Sequence, residues 1–135
     1  MRTLAALFAL LALSACDSGG ADDAVGDLVL AADGEGFLLQ TVEEYPCFNF
    51  TLAVDAEVTP DRAEIEIVGV EEPEVCQRAF GPARARVPFA PDAQTVSVEV
   101  VLRKSGRTDT HEYGCGFAGC LFTPSGTPSF STTRP

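Results

Sequence analysis

The chain has 135 residues, a formal net charge of −11 and no tryptophan. That length supports one domain with one core, and the excess of acid excludes the cationic surface on which nucleic-acid binding depends. The charge is uneven: residues 16–74 carry 16 acids and one base, a net of −15, whereas residues 75–135 carry 4 acids and 7 bases, a net of +3. Two halves that interleave in one sheet system neutralise each other locally, and that is the expectation here.

The first element is an export signal. Arg2 gives a positive start, residues 4–13 (LAALFALLAL) form a ten-residue apolar run, and small residues follow. This is the layout of a secretory signal; ten apolar residues are too few to cross a hydrocarbon core, which takes about 20. The run closes on Leu13-Ser14-Ala15-Cys16. That tetrapeptide resembles the lipobox of bacterial lipoproteins, and the resemblance covers residues 1–16 only. It implies that residues 1–15 are a cleaved signal peptide and that Cys16 carries a diacylglyceryl group, with its freed amino group often acylated too. Two or more acyl chains anchor stably where one does not. The implied address is the bacterial cell envelope, extracytoplasmic, with the membrane as a partner through the lipid at Cys16.

Residues 16–26 are acidic, small and glycine-containing, and read as a flexible linker. Strand signals then recur. Residues 28–31 and 37–42 flank Asp33-Gly34-Glu35-Gly36, a hairpin turn. Residues 47–56 alternate, with Phe48, Phe50, Leu52 and Val54 on one face and Asn49, outward, on the other. Pro60-Asp61 turns the chain into 63–67, where Ala63, Ile65 and Ile67 alternate with glutamates. Residues 72–79 form the one short helix candidate, with Pro73 in its first turn. Ala83, Ala85, Val87 and Phe89 alternate with Arg84 and Arg86, and Pro88 marks an edge or a strand end. Val96, Val98, Val100 and Leu102 form the next strand, and Ser105-Gly106 turns it into 108–113. Residues 123–135 are rich in Pro, Ser and Thr and read as a disordered tail.

Seven strands of period two, each burying one face, predict an all-β fold: an antiparallel β-sandwich over residues 27–122, loosely similar to immunoglobulin-like or fibronectin-type domains. Without Cys16 four cysteines remain, Cys47, Cys76, Cys115 and Cys120. An even number in an exported chain implies two disulfides with three possible pairings. Cys47–Cys76 with Cys115–Cys120 is favoured, because Cys-Gly-Phe-Ala-Gly-Cys closes a tight glycine-bearing loop.

The chemistry-bearing motifs are sparse. Gly114-Cys115-Gly116-Phe117-Ala118-Gly119 matches the dinucleotide fingerprint literally but opens no helix. His111 is the only histidine, and Asp109 shares its face; an acid–base pair without a nucleophile elbow makes no hydrolase. Asp33 and Glu35 offer oxygens to calcium without the EF-hand spacing. Arg78, Arg84 and Arg86, with Arg103, Lys104 and Arg107, are candidates either for a basic docking patch or for pairing with acids such as Glu64 and Glu66. Phe117, on the cysteine-closed loop, is the candidate for insertion into a partner's cleft. The expected protein is therefore not an enzyme and takes no cofactor or metal. It is a membrane-anchored envelope lipoprotein with a binding or structural role, its partner an envelope protein or glycan. Inhibition of an envelope or host hydrolase is the alternative, and a small hydrolase is a third.

Overall fold

The computed structural model describes residues 25–33, 35–90, 97–117 and 119–134. The export signal, Cys16 and the linker through residue 24 lie outside the described residues. Among the described residues nine strands form: β1 (Leu28–Asp33), β2 (Gly36–Cys47), β3 (Thr51–Val58), β4 (Arg62–Glu71), β5 (Arg78–Pro88), β6 (Ser97–Lys104), β7 (Arg107–Gly116), β8 (Gly119–Pro124) and β9 (Ser131–Thr133). They make a single sheet in the order β8-β7-β6-β4-β3-β5-β2-β1-β9.

The all-β expectation and both disulfides, Cys47–Cys76 and Cys115–Cys120, are present. The seven-strand antiparallel sandwich is not. The sheet is mixed, with β1∥β9, β3∥β5 and β4∥β6 parallel, and it curls into a nearly closed barrel. The reason the pattern misled is geometric: alternation reports that one face is buried, and a sheet wrapped on itself has one buried face just as a sandwich layer does. The parallel pairs arise where the chain crosses over. After β4 the 72–77 segment carries the chain past β3 to pair β5 with β2, and the return places β6 on the other side of β4.

The strand directions define two ends. Val25, the 48–50 turn, the 72–77 loop and the β6–β7 turn share the entry end; the β1–β2, β3–β4 and β7–β8 turns share the far end. Inward positions from all around the sheet fill the interior, including Leu28, Leu30, Leu39, Leu52, Ile65, Val100 and Leu102. Phe37 anchors the far half, stacked on Phe89 at 4.9 Å and edge-on to Tyr113 at 5.4 Å. Gly36 is required there, since a Cβ would lie 2.2 Å from the Val87 carbonyl oxygen. The β6–β7 turn has both central residues at positive φ, Ser105 at 49° and Gly106 at 76°, the handedness a two-residue hairpin favours.

Four local expectations change. Residues 72–79 form no helix: 72–77 is a loop and Arg78 opens β5. The Cys47–Cys76 bond and Asn49 hold it, with the Asn49 side chain donating to Val75 O at 2.8 Å and accepting from Gln77 N–H at 3.1 Å. Asn49 is thus a turn residue between β2 and β3, not an outward strand position. Val25 and Gly26 are not linker. Val25 is buried, and the equally buried Lys104 ammonium donates to the carbonyls of Val25 at 2.7 Å and Gly26 at 2.5 Å. Residues 123–134 are not a free tail: β8 runs to Pro124, β9 pairs with β1, and Phe130 is buried at the entry end with Lys104 Nζ 5.0 Å from its ring centre.

Candidate functional site

The feature best shaped to take a partner is a seam in the sheet. β3 and β5 share a single bridge, Thr51 with Arg84, in which Arg84 N–H donates to Phe50 O at 3.3 Å. Beyond that bridge the strands part, although each stays paired on its other side, β3 with β4 and β5 with β2. The opening is a groove of about 530 Å³, flanked by Ala53 and Asp55 of β3, Val68 and Glu71 of β4, and Arg84 and Arg86 of β5. Alternation along a strand sends Arg86 N–H the same way as Arg84 N–H, toward the groove. Pro88, with no N–H to leave unpaired, ends β5 on this open edge, where proline belongs. Two facing strand edges can hydrogen-bond an extended chain laid between them.

The sequence candidates are only partly brought together. Arg84 and Arg86 share the outer face of β5, beside the groove. Arg78 is exposed at the entry end, and Phe117 is fully exposed at the far end, on the tip of the β7–β8 hairpin closed by Cys115–Cys120. The four residues therefore make three places, not one patch. Arg86 Nη1 lies 2.7 Å from Asp33 Oδ2 and 2.7 Å from Glu35 Oε2, so its acids come from the β1–β2 turn and not from Glu64 or Glu66. The Glu35 N–H, with the Arg86 charge, holds the Asp33 carboxyl below the usual carboxylate range. Arg103 pairs with Glu64 at 2.6 Å, and Arg62 with Glu64 and Glu99. Pairs between the two halves thus form at Arg86, Arg103 and Glu99, and each exposed pair contributes about 0–1 kcal/mol. Lys104 leaves the candidate basic patch altogether, being 2 % exposed.

Asp109 and His111 share a face of β7, as alternation requires, but it is the inner face. Both are buried and both are committed to the C-terminal segment. The Asp109 carboxylate accepts from the N–H groups of Ser129 (2.7 Å), Phe130 (3.0 Å) and Ser131 (2.9 Å), and from the hydroxyls of Ser129 and Ser131. Ser131 Oγ gives its proton to Asp109 at 2.7 Å, so the contact with His111 Nε2 at 2.8 Å has the ring donating. His111 Nδ1 is buried and has no hydrogen-bond partner among the described residues. Serine here bridges acid and histidine in the interior; it is not aimed at a cleft, and the trio functions as a clasp. The sequence signal that would have revealed it is Phe130, one large apolar residue in an otherwise polar stretch.

Burial raises the Asp109 carboxyl, but the hydrogen bonds from Ser131, Phe130 and Ser129 outweigh it and bring it down to about 2. Burial pushes His111 below its ordinary 6.5, against the pull of Asp109. The folded state holds a neutral ring, so it binds fewer protons than the unfolded chain once the pH is under that ordinary value, and stability falls on acidification from about 6.5 downward. Asp109 adds a second decline, from about 4 toward about 2. Urea midpoints measured from pH 8 to pH 3 should show both; His111→Gln, which keeps a donor for Ser131, should remove the first and keep the second. An unchanged profile in that variant would show that the ring is not the titrating group.

Among the described residues no group of three or more His, Cys, Asp or Glu side chains is placed to hold a metal ion, and no helix is long and apolar enough to cross a membrane. No family model, curated protein or solved structure matches the chain.

Proposed function

We propose that the chain is a membrane-anchored lipoprotein of the bacterial cell envelope, extracytoplasmic, whose barrel binds a partner without catalysing a reaction. The groove between β3 and β5 carries the binding part of this reading, because it offers two strand edges to an extended segment of an envelope protein. The lipobox ending at Cys16 carries the address, and the two disulfides are compatible with it. Mass spectrometry of the mature protein should find Cys16 as the acylated first residue, and Cys16→Ser should abolish both cleavage and acylation; an unmodified Cys16 would remove the anchor. A photo-crosslinker at position 53, in the groove, should trap one defined partner in intact cells, and the same probe at position 112 on β7 should not. Equal labelling from both positions would remove the groove as the binding site.

A second reading rests on Phe117. A fully exposed aromatic ring on a disulfide-closed hairpin tip is suited to insertion into a hydrolase cleft. If the protein inhibits such an enzyme, Phe117→Ala should abolish inhibition; unchanged potency would end that reading.

A further inference from the structure

We propose that the entry end of the barrel lies against the membrane and seats an apolar rim, Phe48, Val75 and Phe80, in a zwitterionic phospholipid surface. The proposal rests on the lipid-anchored reading above and adds the orientation in which the anchored barrel meets the membrane. The three side chains are 40 %, 76 % and 73 % exposed. Cys47–Cys76 joins the segments of Phe48 and Val75, and Phe80 lies at the start of β5, one residue past Ala79, the strand partner of Cys47. Phe48 N–H donates to Gln77 O, Asn49 reaches Val75 O, and Phe48 packs so closely on Gly81 that a Cβ there would lie 3.2 Å from it. An apolar rim built around a disulfide is a fixed surface, not a frayed one.

The length of chain before the barrel decides what meets it. Val25 is pinned at this same end by Lys104, and the nine residue steps from Cys16 to Val25 span at most about 30 Å when fully extended. A lipid at Cys16 therefore keeps the entry end within about 30 Å of the bilayer, and seating the rim there turns the far end, with Phe117, away from it. Glu71, Glu72 and Glu74 flank the rim beside Arg78, so an anionic surface repels what a zwitterionic one accepts. Aromatic and aliphatic side chains at the headgroup boundary add apolar burial to the acyl anchor.

The chain has no tryptophan, which gives a clean probe. Full-length protein carrying Phe80→Trp or Phe117→Trp, expressed with its own signal, is reconstituted into vesicles of phosphatidylcholine with brominated chains, and flotation is recorded beside emission. The expected result is that both variants float, Trp at position 80 loses most of its emission, and Trp at position 117 loses none. Adding Val75→Asp to Phe80→Trp should restore emission without stopping flotation, and replacing half the lipid with phosphatidylglycerol should weaken the quenching. Flotation with position 80 unquenched, or with both positions quenched alike, would overturn the orientation and leave the anchor standing. Failure to float, with Cys16 unacylated and position 80 unquenched, would overturn both; quenching at position 80 without acylation would keep the surface and remove the anchor.

Discussion

Asp109→Ala should lower the stability of the domain by about 3–5 kcal/mol, the largest single-residue effect expected in this chain. One carboxylate satisfies three backbone N–H groups and two hydroxyls of residues 129–131. Its removal leaves the donors of buried Phe130 and Ser131 without a partner, while exposed Ser129 can turn to water, and each orphaned buried donor costs about 1–3 kcal/mol, not additively. The same change releases β9 from the clasp, with Phe130 and its burial. Urea denaturation gives the loss. Hydrogen exchange should show residues 129–133 opening first, with the central strands following only at the global transition. Asp109→Asn, which retains one acceptor oxygen, should be milder. A loss under about 1 kcal/mol for the alanine variant would mean that the C-terminal segment is held by its apolar contacts alone.

Removing Cys47–Cys76, as Cys47→Ala with Cys76→Ala, should lower stability by about 3–4 kcal/mol, against about 2 kcal/mol for Cys115→Ala with Cys120→Ala. The difference follows from loop length: the first bond joins residues 29 apart and the second residues 5 apart. The first bond also does more in the folded state. Cys47 is buried at the end of β2, and its partner ties down a loop that has no regular structure of its own. Thermal melts of the two double variants, with and without reductant, give the comparison. Equal losses would show that the unfolded chain is not constrained in proportion to loop length.

The strands were legible wherever one face is apolar and the other is charged. Ala63, Ile65 and Ile67 on β4, and Ala83 and Val87 on β5, are buried as their alternation implies. The disulfides were legible from parity and from the tight spacing of Cys115 and Cys120. Two kinds of feature were hidden. Closure of the sheet depends on which strand lies beside which, and a period-two pattern carries no neighbour information; hence the sandwich. β9 is polar because the Ser131 N–H and hydroxyl are held by Asp109, some 20 residues away, and not by apolar packing of its side chains, so residues 131–133 read as tail. The groove was hidden for a related reason. It exists because β3 and β5 part after Thr51 and Arg84, and only Pro88 hinted at an open edge. Lys104 looked like surface charge, yet its ammonium lies over carbonyls and the Phe130 ring, a placement composition cannot foretell.

The pairing of β1 with β9 has a consequence for how the protein comes to be folded. The first strand of the domain needs residues 131–133 as its second neighbour, and the clasp on β7 waits for the same residues. A chain threaded out from its N-terminal side therefore cannot complete the sheet until residues 131–133 have emerged. Such long-range closure is slow, and a chain that closes late stays open for passage across a membrane. On the export reading proposed above, this ordering would keep the chain open for its passage.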